Sequence, residues 1–379
     1  MTSLLVVAGE ASGDRAAAAV VARLPGVDTF GLGGPALASR GMTLVGDLRA
    51  STALGVGEAG MRAWGVLRAW GSVVHSTRRR KPRAALLVNY TEFNARLAPH
   101  LRDAGVRVLW YGAPQVWAWR GERTATLRRC IDRMAVLLPF EAPLWRAAGV
   151  DAHYVGHPAL ELTPLDRDTA RRALGMTPYA ATVAVLPGSR PHEVRRLLVP
   201  MLDAYEIVRA DRASVDARVL VAPSLDESTR RWLRDFCAAR RVGMFDVDPH
   251  VGAMGVLRAF DAALCASGTA SLEAALARAV PVTAYRVGVT TEMAARMLVT
   301  APHVALPNIL LGRRAFAELL QRDAQSPRIA QALEDALDRR QELVFACDEV
   351  EAALGHERTP SVSVARMLAP WLGVRAHAA

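Results

Sequence analysis

The sequence predicts an α/β protein built from two doubly wound lobes, each with a parallel sheet covered by helices on both faces. Short apolar runs alternate with helical patterns of about 10–15 residues, which is typical of parallel strands buried on both faces. The 379 residues suffice for two domains of about 150–200 residues each. Each half opens with a strand, a glycine turn and a helix, "GEASGD" in one and "PGSRPHEV" in the other. Ligands of such folds bind beyond the carboxyl ends of the strands, so we expect an interdomain cleft between those ends of the two lobes.

The strand-like runs fall into two sets along the chain. The first set is LLVVAG, DTFGLGG, AALLVNY, RVLWYGAP and RMAVLLPF; the second is ATVAVLPGS, ARVLVAPS, GMFDVD, DAALCASG and PVTAYRV. The hinge-like segment GHPALELTPLDRD lies between them, so the boundary is expected near residues 156–166. We therefore expect a first lobe at residues 1–160, a second at 161–349 and a helical segment at 350–379 that packs on one of the lobes.

Composition limits the classes of partner. Hydrophobic residues make up 51% of the chain, enough for a large core, and the net charge of +10 favours phosphorylated substrates, nucleic acid or an anionic membrane. The four cysteines lie far apart without metal-ligand spacing, which indicates reduced thiols in the cytoplasm. We expect no signal peptide and no membrane span.

Two helix openings in the second half carry residue types that bind anions. The first holds Gly188, Ser189 and Arg190, and the second holds Ser267, Gly268 and Thr269. Backbone N–H groups and a guanidinium at such turns suit a diphosphate, and Glu273 lies within reach of ribose hydroxyls. The alternative is that both are ordinary strand-to-helix connections capped by serine.

The first glycine turn differs because it contains carboxylates. Glu10 and Asp14 would repel a phosphate, so they are expected to bind hydroxyl groups or to order the loop; a helix N-terminal cap is the alternative for Asp14. The pair Asp246 and Asp248 resembles a DxD metal motif, but three letters are weak support and no metal is expected.

One stretch predicts a membrane-facing helix. "GEAGMRAWGVLRAWGSVVHSTRRRKPR" reads as an amphipathic helix followed by a basic cluster, which is typical of proteins that lie on anionic lipid. The apolar face comprises Trp64, Val66, Leu67, Trp70, Val73 and Val74, and the cluster comprises Arg78, Arg79, Arg80, Lys81 and Arg83. The alternative is a helix packed against the fold or against a partner subunit, which leaves a homodimer open.

Eight blocks, in order over about residues 4–322, resemble the lipid-A-disaccharide synthase family. They are VAGEASGD, YGAPQVWAWR, LLPFE, YVGHPAL, LPGSRPHEV, ASGTASLEAALA, PVTAYR and LPNILLGRRAFAELLQ. The resemblance implies a GT-B fold and an inverting glycosyltransferase that needs neither metal nor cofactor. Such an enzyme joins UDP-2,3-diacylglucosamine to 2,3-diacylglucosamine 1-phosphate, releasing UDP and a β-1,6-linked disaccharide 1-phosphate. It would act at the inner face of the cytoplasmic membrane.

The same resemblance distributes the site residues between the lobes. The nucleotide belongs to the second lobe, at the two helix openings and Glu273. Residues expected to face the acceptor and the sugar are Gly9, Glu10, Ser12, Asp14, Trp117, Trp119 and Asn308. The two tryptophans crowd at a strand end, where their rings suit a sugar face or an acyl chain.

The chain departs from its family at "LLVNYTEFNARL". The usual block has the form IDAPDFN, whose first Asp is the candidate base for the acceptor hydroxyl, whereas this chain has Asn89 there and Glu92 three residues on. Asn positions a hydroxyl but does not take its proton. Glu92 is the favoured base; another carboxylate (Glu10, Asp14 or Glu58) and a weak or altered transferase are the alternatives.

The sequence is also compatible with two further hypotheses. UDP-GlcNAc 2-epimerases also have two such lobes, although they give no reason for acyl-binding features. A membrane-associated paralogue that binds a UDP-sugar but turns over poorly is the non-enzymatic alternative. Nucleic-acid binding is not expected, because the basic residues lack interleaved aromatic side chains.

Overall fold

The computed structural model of the chain consists of two compact units. Unit 1 comprises Met1–Glu161 and Leu354–Ala379, and unit 2 comprises Leu162–Ala353. The structure describes residues 2–47, 59–115, 123–177, 180–212, 214–266, 268–286 and 302–377. Ser267, Trp117, Trp119 and Glu58, all named as candidate site residues, lie outside these described residues.

Unit 1 contains a parallel sheet with the strand order β3-β2-β1-β4-β5-β6-β7. The strands are β1 (Ser3–Ala8), β2 (Asp28–Gly33), β3 (Thr43–Asp47), β4 (Ala84–Val88), β5 (Arg107–Tyr111), β6 (Arg133–Val136) and β7 (Ala152–Tyr154). The order reverses between β1 and β4, which are hydrogen-bonded neighbours. This reversal is a topological switch point, where open α/β sheets bind their ligands.

Helices cover both faces of this sheet. They are α1 (Ala11–Ala22), α2 (Pro35–Ala38), α3 (Ala59–Arg80), α4 (Thr91–Asp103), α5 (Arg123–Cys130) and α6 (Glu141–Ala147). Alternate residues of β1 enter opposite cores: Leu5 and Val7 join one hydrophobic cluster, and Leu4 and Val6 join the other. Burial on both faces explains why these strands read as continuous apolar runs.

Unit 2 repeats the arrangement with the strand order β10-β9-β8-β11-β12-β13. Its strands are β8 (Ala181–Leu186), β9 (Val215–Val221), β10 (Gly243–Asp246), β11 (Ala262–Ala266), β12 (Val280–Tyr285) and β13 (Glu318–Leu320). Its helices are α7 (Arg167–Ala173), α8 (Pro191–Asp211), α9 (Glu227–Ala239), α10 (Thr269–Leu276), α11 (Leu306–Leu311), α12 (Ser326–Asp338) and α13 (Arg340–Ala353). The switch point lies between the neighbours β8 and β11. Two parallel, doubly wound sheets confirm the predicted fold class.

A buried ionic cluster ties the amino ends of β8 and β11 together. Asp261, which precedes β11, accepts hydrogen bonds from the Thr182 N–H (2.9 Å) and from Nη2 of Arg167 (2.6 Å) and Arg171 (3.3 Å). Because Arg167 and Arg171 belong to α7, the cluster also fixes that helix at the edge opposite the carboxyl ends. Removing one partner from such a buried ion pair would leave an uncompensated charge and destabilise the fold.

The last helix, α14 (Pro360–Leu372), returns to unit 1. Leu368 and Val364 are completely buried in the cluster that also contains Leu4 and Val6. At its start, the Glu161 carboxylate accepts hydrogen bonds from the Ser361 N–H (3.2 Å) and Oγ (2.7 Å). The helix therefore completes one of the two cores of unit 1.

Replacing Leu368 with Ala tests this contribution. We expect Leu368→Ala to lower the free energy of unfolding by about 2–5 kcal/mol, because it removes buried methyl groups and leaves a cavity. Urea denaturation measures the change. The matched control, Arg366→Ala, removes an exposed side chain of the same helix and should change stability by less than about 0.5 kcal/mol. Equal effects of the two variants would contradict the packing role of α14.

Candidate functional site

The first candidate site lies at the switch point of unit 1. β1 and β4 run side by side to Ala8 and Val88, so the turn that begins at Gly9 and the turn that begins at Asn89 leave the sheet together. A side-chain carbon at residue 9 would lie 2.3 Å from Cγ of Tyr90. The ring of Tyr90 thus packs directly on the backbone of Gly9, where only glycine fits.

The turn after β4 has an unusual backbone. Asn89 and Tyr90 are both left-handed, with φ of 47° and 41°. Asn tolerates this conformation, but for Tyr it is a strained one that costs about 1–3 kcal/mol. The Asn89 N–H donates to the Tyr111 carbonyl (3.0 Å), and Nδ2 of Asn94 donates to the Asn89 carbonyl (2.9 Å). The surroundings therefore hold the turn in a geometry that it would not adopt alone.

The Asn89 side chain lies at the ends of three neighbouring strands. A side-chain carbon on Gly112, just after β5, would lie 2.0 Å from Asn89 Oδ1, and one on Gly13 would lie 3.6 Å from Nδ2.

Two carboxylates stand at the same edge: Glu92 is exposed in the first turn of α4, and Glu10 is exposed just before α1. Ser12, in the first turn of α1, is half-buried. This edge combines hydrogen-bonding groups with solvent-exposed carboxylates.

Asp14 has the role that was given as its alternative, a helix N-terminal cap, although the helix that it caps is not its own. Its buried carboxylate accepts hydrogen bonds from the N–H groups of Gly34 (2.7 Å), Ala36 (2.9 Å) and Leu37 (3.3 Å). Asp14 thus caps the start of α2, because a carboxylate satisfies the unpaired amides of a helix N-terminus. These contacts correct both the sugar-binding prediction and the alternative that Asp14 is a base.

The second candidate site lies at the switch point of unit 2, where β8 and β11 pair up to Leu186 and Cys265. The turn after β8 already contains an anion. The Glu193 carboxylate accepts hydrogen bonds from the Ser189 N–H (3.1 Å), the Arg190 N–H (3.3 Å) and Nη1 of Arg190 (3.2 Å). These two amides are thus engaged within the turn, and the Arg190 guanidinium is 41% exposed; phosphate binding at this turn stays a prediction.

The turn after β11 opens helix α10. Gly268 has a φ of 114° and open space around it, so the backbone conformation alone requires glycine there. Thr269 is the first residue of the helix, and Glu273 follows four residues later on the same face, buried. Burial also raises the pKa of the neighbouring Cys265 thiol, which stays protonated. The helix N-terminus, a hydroxyl side chain and a carboxylate therefore lie together at this strand end.

Asn308 lies in α11, a helix that packs against α10. It is completely buried, and its Nδ2 donates to the Phe316 carbonyl (2.9 Å) and to Glu318 Oε1 (2.8 Å). Its Oδ1 accepts from the N–H groups of Ala315 and Phe316, both at 2.9 Å. With donors and acceptor engaged inside unit 2, Asn308 fixes the connection from α11 to β13. This corrects its assignment to the sugar site.

The aspartates of the DxD-like motif have separate partners. Asp246 forms an ion pair with Arg230, and Asp248 accepts hydrogen bonds from the N–H groups of His250 (2.7 Å) and Val251 (3.0 Å). Within the described residues, no group of three or more His, Cys, Asp or Glu side chains could hold a metal ion.

Helix α3 divides its apolar residues between two faces. The four that pack against the core of unit 1 are Val66, Trp70, Val73 and Val74. This packing corrects their predicted membrane contact and agrees with the alternative of a helix packed against the fold. Trp64 and Leu67 instead point outward, 71% and 62% exposed.

The basic cluster begins in the last turn of this helix and is also divided. Arg80 is held in the fold: its guanidinium forms an ion pair with Asp28 (3.3 Å) and lies 4.8 Å above the ring of Phe30. Arg78, Arg79 and Lys81 are exposed. None of the helices in the described part of the chain is long and apolar enough to cross a membrane.

Sequence reasoning missed two residues that shape these sites. Glu193 stands three residues after the helix N-cap Arg190, which is the spacing of a capping box, so its role was detectable. Tyr90 carried no such signal, because nothing local predicts a left-handed tyrosine.

Comparison with known proteins places the chain in a family. The model of the lipid-A-disaccharide synthetase family matches residues 4–366. The lipid-A-disaccharide synthase of Anaeromyxobacter dehalogenans (strain 2CP-C) is 41% identical over 369 residues and covers 94% of each chain. That of Myxococcus xanthus is 41% identical over 337 residues, 86% of each, and that of Pseudomonas fluorescens (strain Pf0-1) is 35% identical over 359 residues, 93% of each.

Solved structures share the two-lobed GT-B-type fold at low identity. The UDP-GlcNAc 2-epimerase from Neisseria meningitidis, bound to UDP-GlcNAc, has a TM-score of 0.67 at 10% identity over 97% of this chain and 100% of its own. Acinetobacter baumannii MurG has a TM-score of 0.51 at 17% identity, covering 92% of this chain and 94% of its own. These likenesses show the fold, whereas the family model and the relatives in sequence identify the chain as a member of the lipid-A-disaccharide synthetase family.

Proposed function

We propose that this protein transfers 2,3-diacylglucosamine from UDP to 2,3-diacylglucosamine 1-phosphate in lipid A biosynthesis. The family match over residues 4–366 carries the proposal, and the two switch-point sites supply candidate groups for donor and acceptor. The family also favours this hexosyl transfer over 2-epimerisation, since the epimerases share only the fold at 10% identity.

The reaction itself can be tested directly. The purified protein is incubated with the two acylated monosaccharides, and the products are analysed by mass spectrometry together with UDP release. A disaccharide 1-phosphate that forms only when both substrates are present supports the transferase. UDP release from the donor alone, or a 2-epimer of the donor sugar, would contradict it.

The nucleotide occupies the switch point of unit 2 in this proposal. The Arg190 guanidinium and the N-terminus of α10, with Gly268 and Thr269, bind the diphosphate, and Glu273 binds the ribose hydroxyls. Ser267 completes this set from outside the described residues. Because Glu193 occupies the amides of the β8 turn, that turn contributes the side chain of Arg190 rather than its backbone.

The acceptor is activated at the switch point of unit 1. Glu92 takes the proton of the acceptor hydroxyl as its oxygen attacks C1 of the donor sugar, and the C1–O bond to UDP breaks with inversion. Asn89 hydrogen-bonds the hydroxyl and orients it. Glu10 is the alternative base, because it is exposed at the same edge. Trp117 and Trp119 are proposed to face the sugar or its acyl chains.

The outer face of α3 is the proposed membrane contact. Both substrates carry acyl chains, so the enzyme must meet them at a lipid surface. Trp64 and Leu67 supply exposed apolar side chains, and Arg78, Arg79 and Lys81 supply positive charge at the end of the helix. The proposed location is the inner face of the cytoplasmic membrane, where the acylated substrates of this reaction would be met.

Removing the Arg190 guanidinium should weaken catalysis strongly. Arg190→Ala is expected to lower kcat about 10²–10³-fold, because the side chain stabilises charge that develops on the departing diphosphate. Arg234→Ala, which removes an exposed arginine of the same unit, is the matched control and should retain activity. EDTA should not inhibit either protein. Normal turnover by Arg190→Ala would exclude this assignment, and strong inhibition by EDTA would indicate a metal.

A set of carboxylate variants identifies the base. Glu92→Gln should lose about 10²–10⁴ in kcat and the acidic limb of its pH–rate profile, because the amide takes no proton. Glu10→Gln should keep that limb if Glu92 is the base. The reverse outcome assigns the role to Glu10. A large gain of activity in Asn89→Asp would show that the native chain lacks an effective base.

Membrane binding should depend on the outward residues of α3. The variant Trp64→Ala/Leu67→Ala is expected to sediment less with vesicles that contain anionic lipid, and salt should weaken binding of the unaltered protein. Phe345→Ala removes an equally exposed aromatic ring from unit 2 and should bind normally. If the double variant instead dissociates an oligomer while vesicle binding persists, this face contacts a partner subunit.

A further inference from the structure

We infer that Tyr90 is a positioning residue, whose ring fixes the turn that carries Asn89 and leads into Glu92; this inference rests on the proposed function. The ring stacks on Phe93, with centroids 5.2 Å apart and planes inclined by 23°. The ring also packs on the backbone of Gly9, where a side-chain carbon would approach Cγ to 2.3 Å. Tyr90 is thus clamped between α4 and the turn after β1.

The clamp acts on the backbone that carries the proposed chemistry. Tyr90 is the second of two consecutive left-handed residues and stands at the N-cap of α4. Its carbonyl accepts the Asn94 N–H (3.0 Å), which begins the helix. The direction of the Asn89 side chain and the start of the helix that bears Glu92 therefore depend on the backbone conformation of Tyr90.

The aromatic contacts continue from the turn to helix α3. Phe93 meets the edge of Trp70 (5.6 Å, 70°), and Trp70 meets the edge of His100 (5.0 Å, 88°). Trp70 belongs to the inner face of α3, opposite the outward Trp64. Edge-to-face and stacked pairs fix both distance and orientation, so they hold α3, α4 and the Asn89 turn as one packed group.

The ring has a specific expected effect on the reaction. Without it, the strained turn is free to relax toward a right-handed backbone, which moves Asn89 away from Gly112 and Gly13. Misplacing a reacting group by about 1 Å costs about 10²-fold in rate. Nucleotide binding in unit 2 does not involve this turn, so kcat should fall while KM for the UDP-sugar stays unchanged.

The first test compares variants at residue 90. Tyr90→Ala is expected to lower kcat about 10²-fold, with KM for the UDP-sugar unchanged and folding intact by circular dichroism. Tyr90→Phe retains the ring and should restore most of kcat. A parallel loss of kcat and of nucleotide affinity, or full activity in Tyr90→Ala, would overturn the positioning role.

The second test is a double-mutant cycle that isolates the ring-to-backbone contact. Gly9→Ala should reduce kcat because its methyl group meets the Tyr90 ring. Gly9→Ala/Tyr90→Ala should be no worse than Tyr90→Ala alone, since the obstructing ring is then gone. The control Gly71→Ala adds a methyl group to α3 where nothing lies within 4 Å and should be neutral.

The outcomes separate this inference from the proposed function. Multiplicative losses of kcat in the double variant would show that residues 9 and 90 act independently, and would overturn the clamp. The same cycle measured by thermal unfolding reports the contact without any assay of activity. An unaltered protein that forms no disaccharide, with a thermal cycle that is still non-additive, would contradict the proposed function but not the contact.

Discussion

Both units depend on one kind of interaction, in which a side-chain carboxylate accepts hydrogen bonds from backbone N–H groups. A parallel sheet brings the carboxyl ends of all its strands to one edge. The turns and helix N-termini that follow there present backbone N–H groups that lack partners within the helix. Asp14 and Glu193 satisfy such amides beside the two switch points. Glu141 does so after β6, where it accepts from the N–H groups of Leu137 (3.2 Å) and Leu138 (3.0 Å). Glu318 holds the Ala305 N–H (3.0 Å) before α11.

These internal carboxylates determine which groups remain for chemistry. A charged acceptor makes stronger hydrogen bonds than a neutral one, and removing it would leave several amides unpaired. The turns are therefore fixed before any substrate binds. What stays accessible at the strand ends are long side chains, Arg190 in unit 2 and Glu10 and Glu92 in unit 1. The same residue types thus serve two purposes. The more buried side chains hold the turns, and the exposed ones are the proposed reactive groups.

The sequence was sufficient for the fold because its signals are local and repeated. Continuous apolar strands such as β1, separated by helical patterns, indicate parallel sheets, and the glycine turns mark both switch points. The roles of Asp14, Asn308 and four residues of α3 were not predictable in this way. Asp14 finds its partners in Gly34, Ala36 and Leu37, about twenty positions away, and periodicity does not say which face of α3 meets the sheet. Tyr90 shows the same limit, because its ring contacts Gly9, far away in the sequence, as well as its neighbour Phe93.

The return of α14 to unit 1 has a consequence for synthesis of the chain. Unit 2 is encoded as one uninterrupted segment, Leu162–Ala353, whereas unit 1 is encoded in two parts on either side of it. A ribosome therefore releases all of unit 2 before it releases the helix that closes the core around Leu4 and Val6. During that interval one face of the first sheet lacks its final cover. Translation of unit 1 begins first, but unit 2 is the first unit to have all of its residues synthesised. Unit 2 can therefore finish folding before unit 1 can.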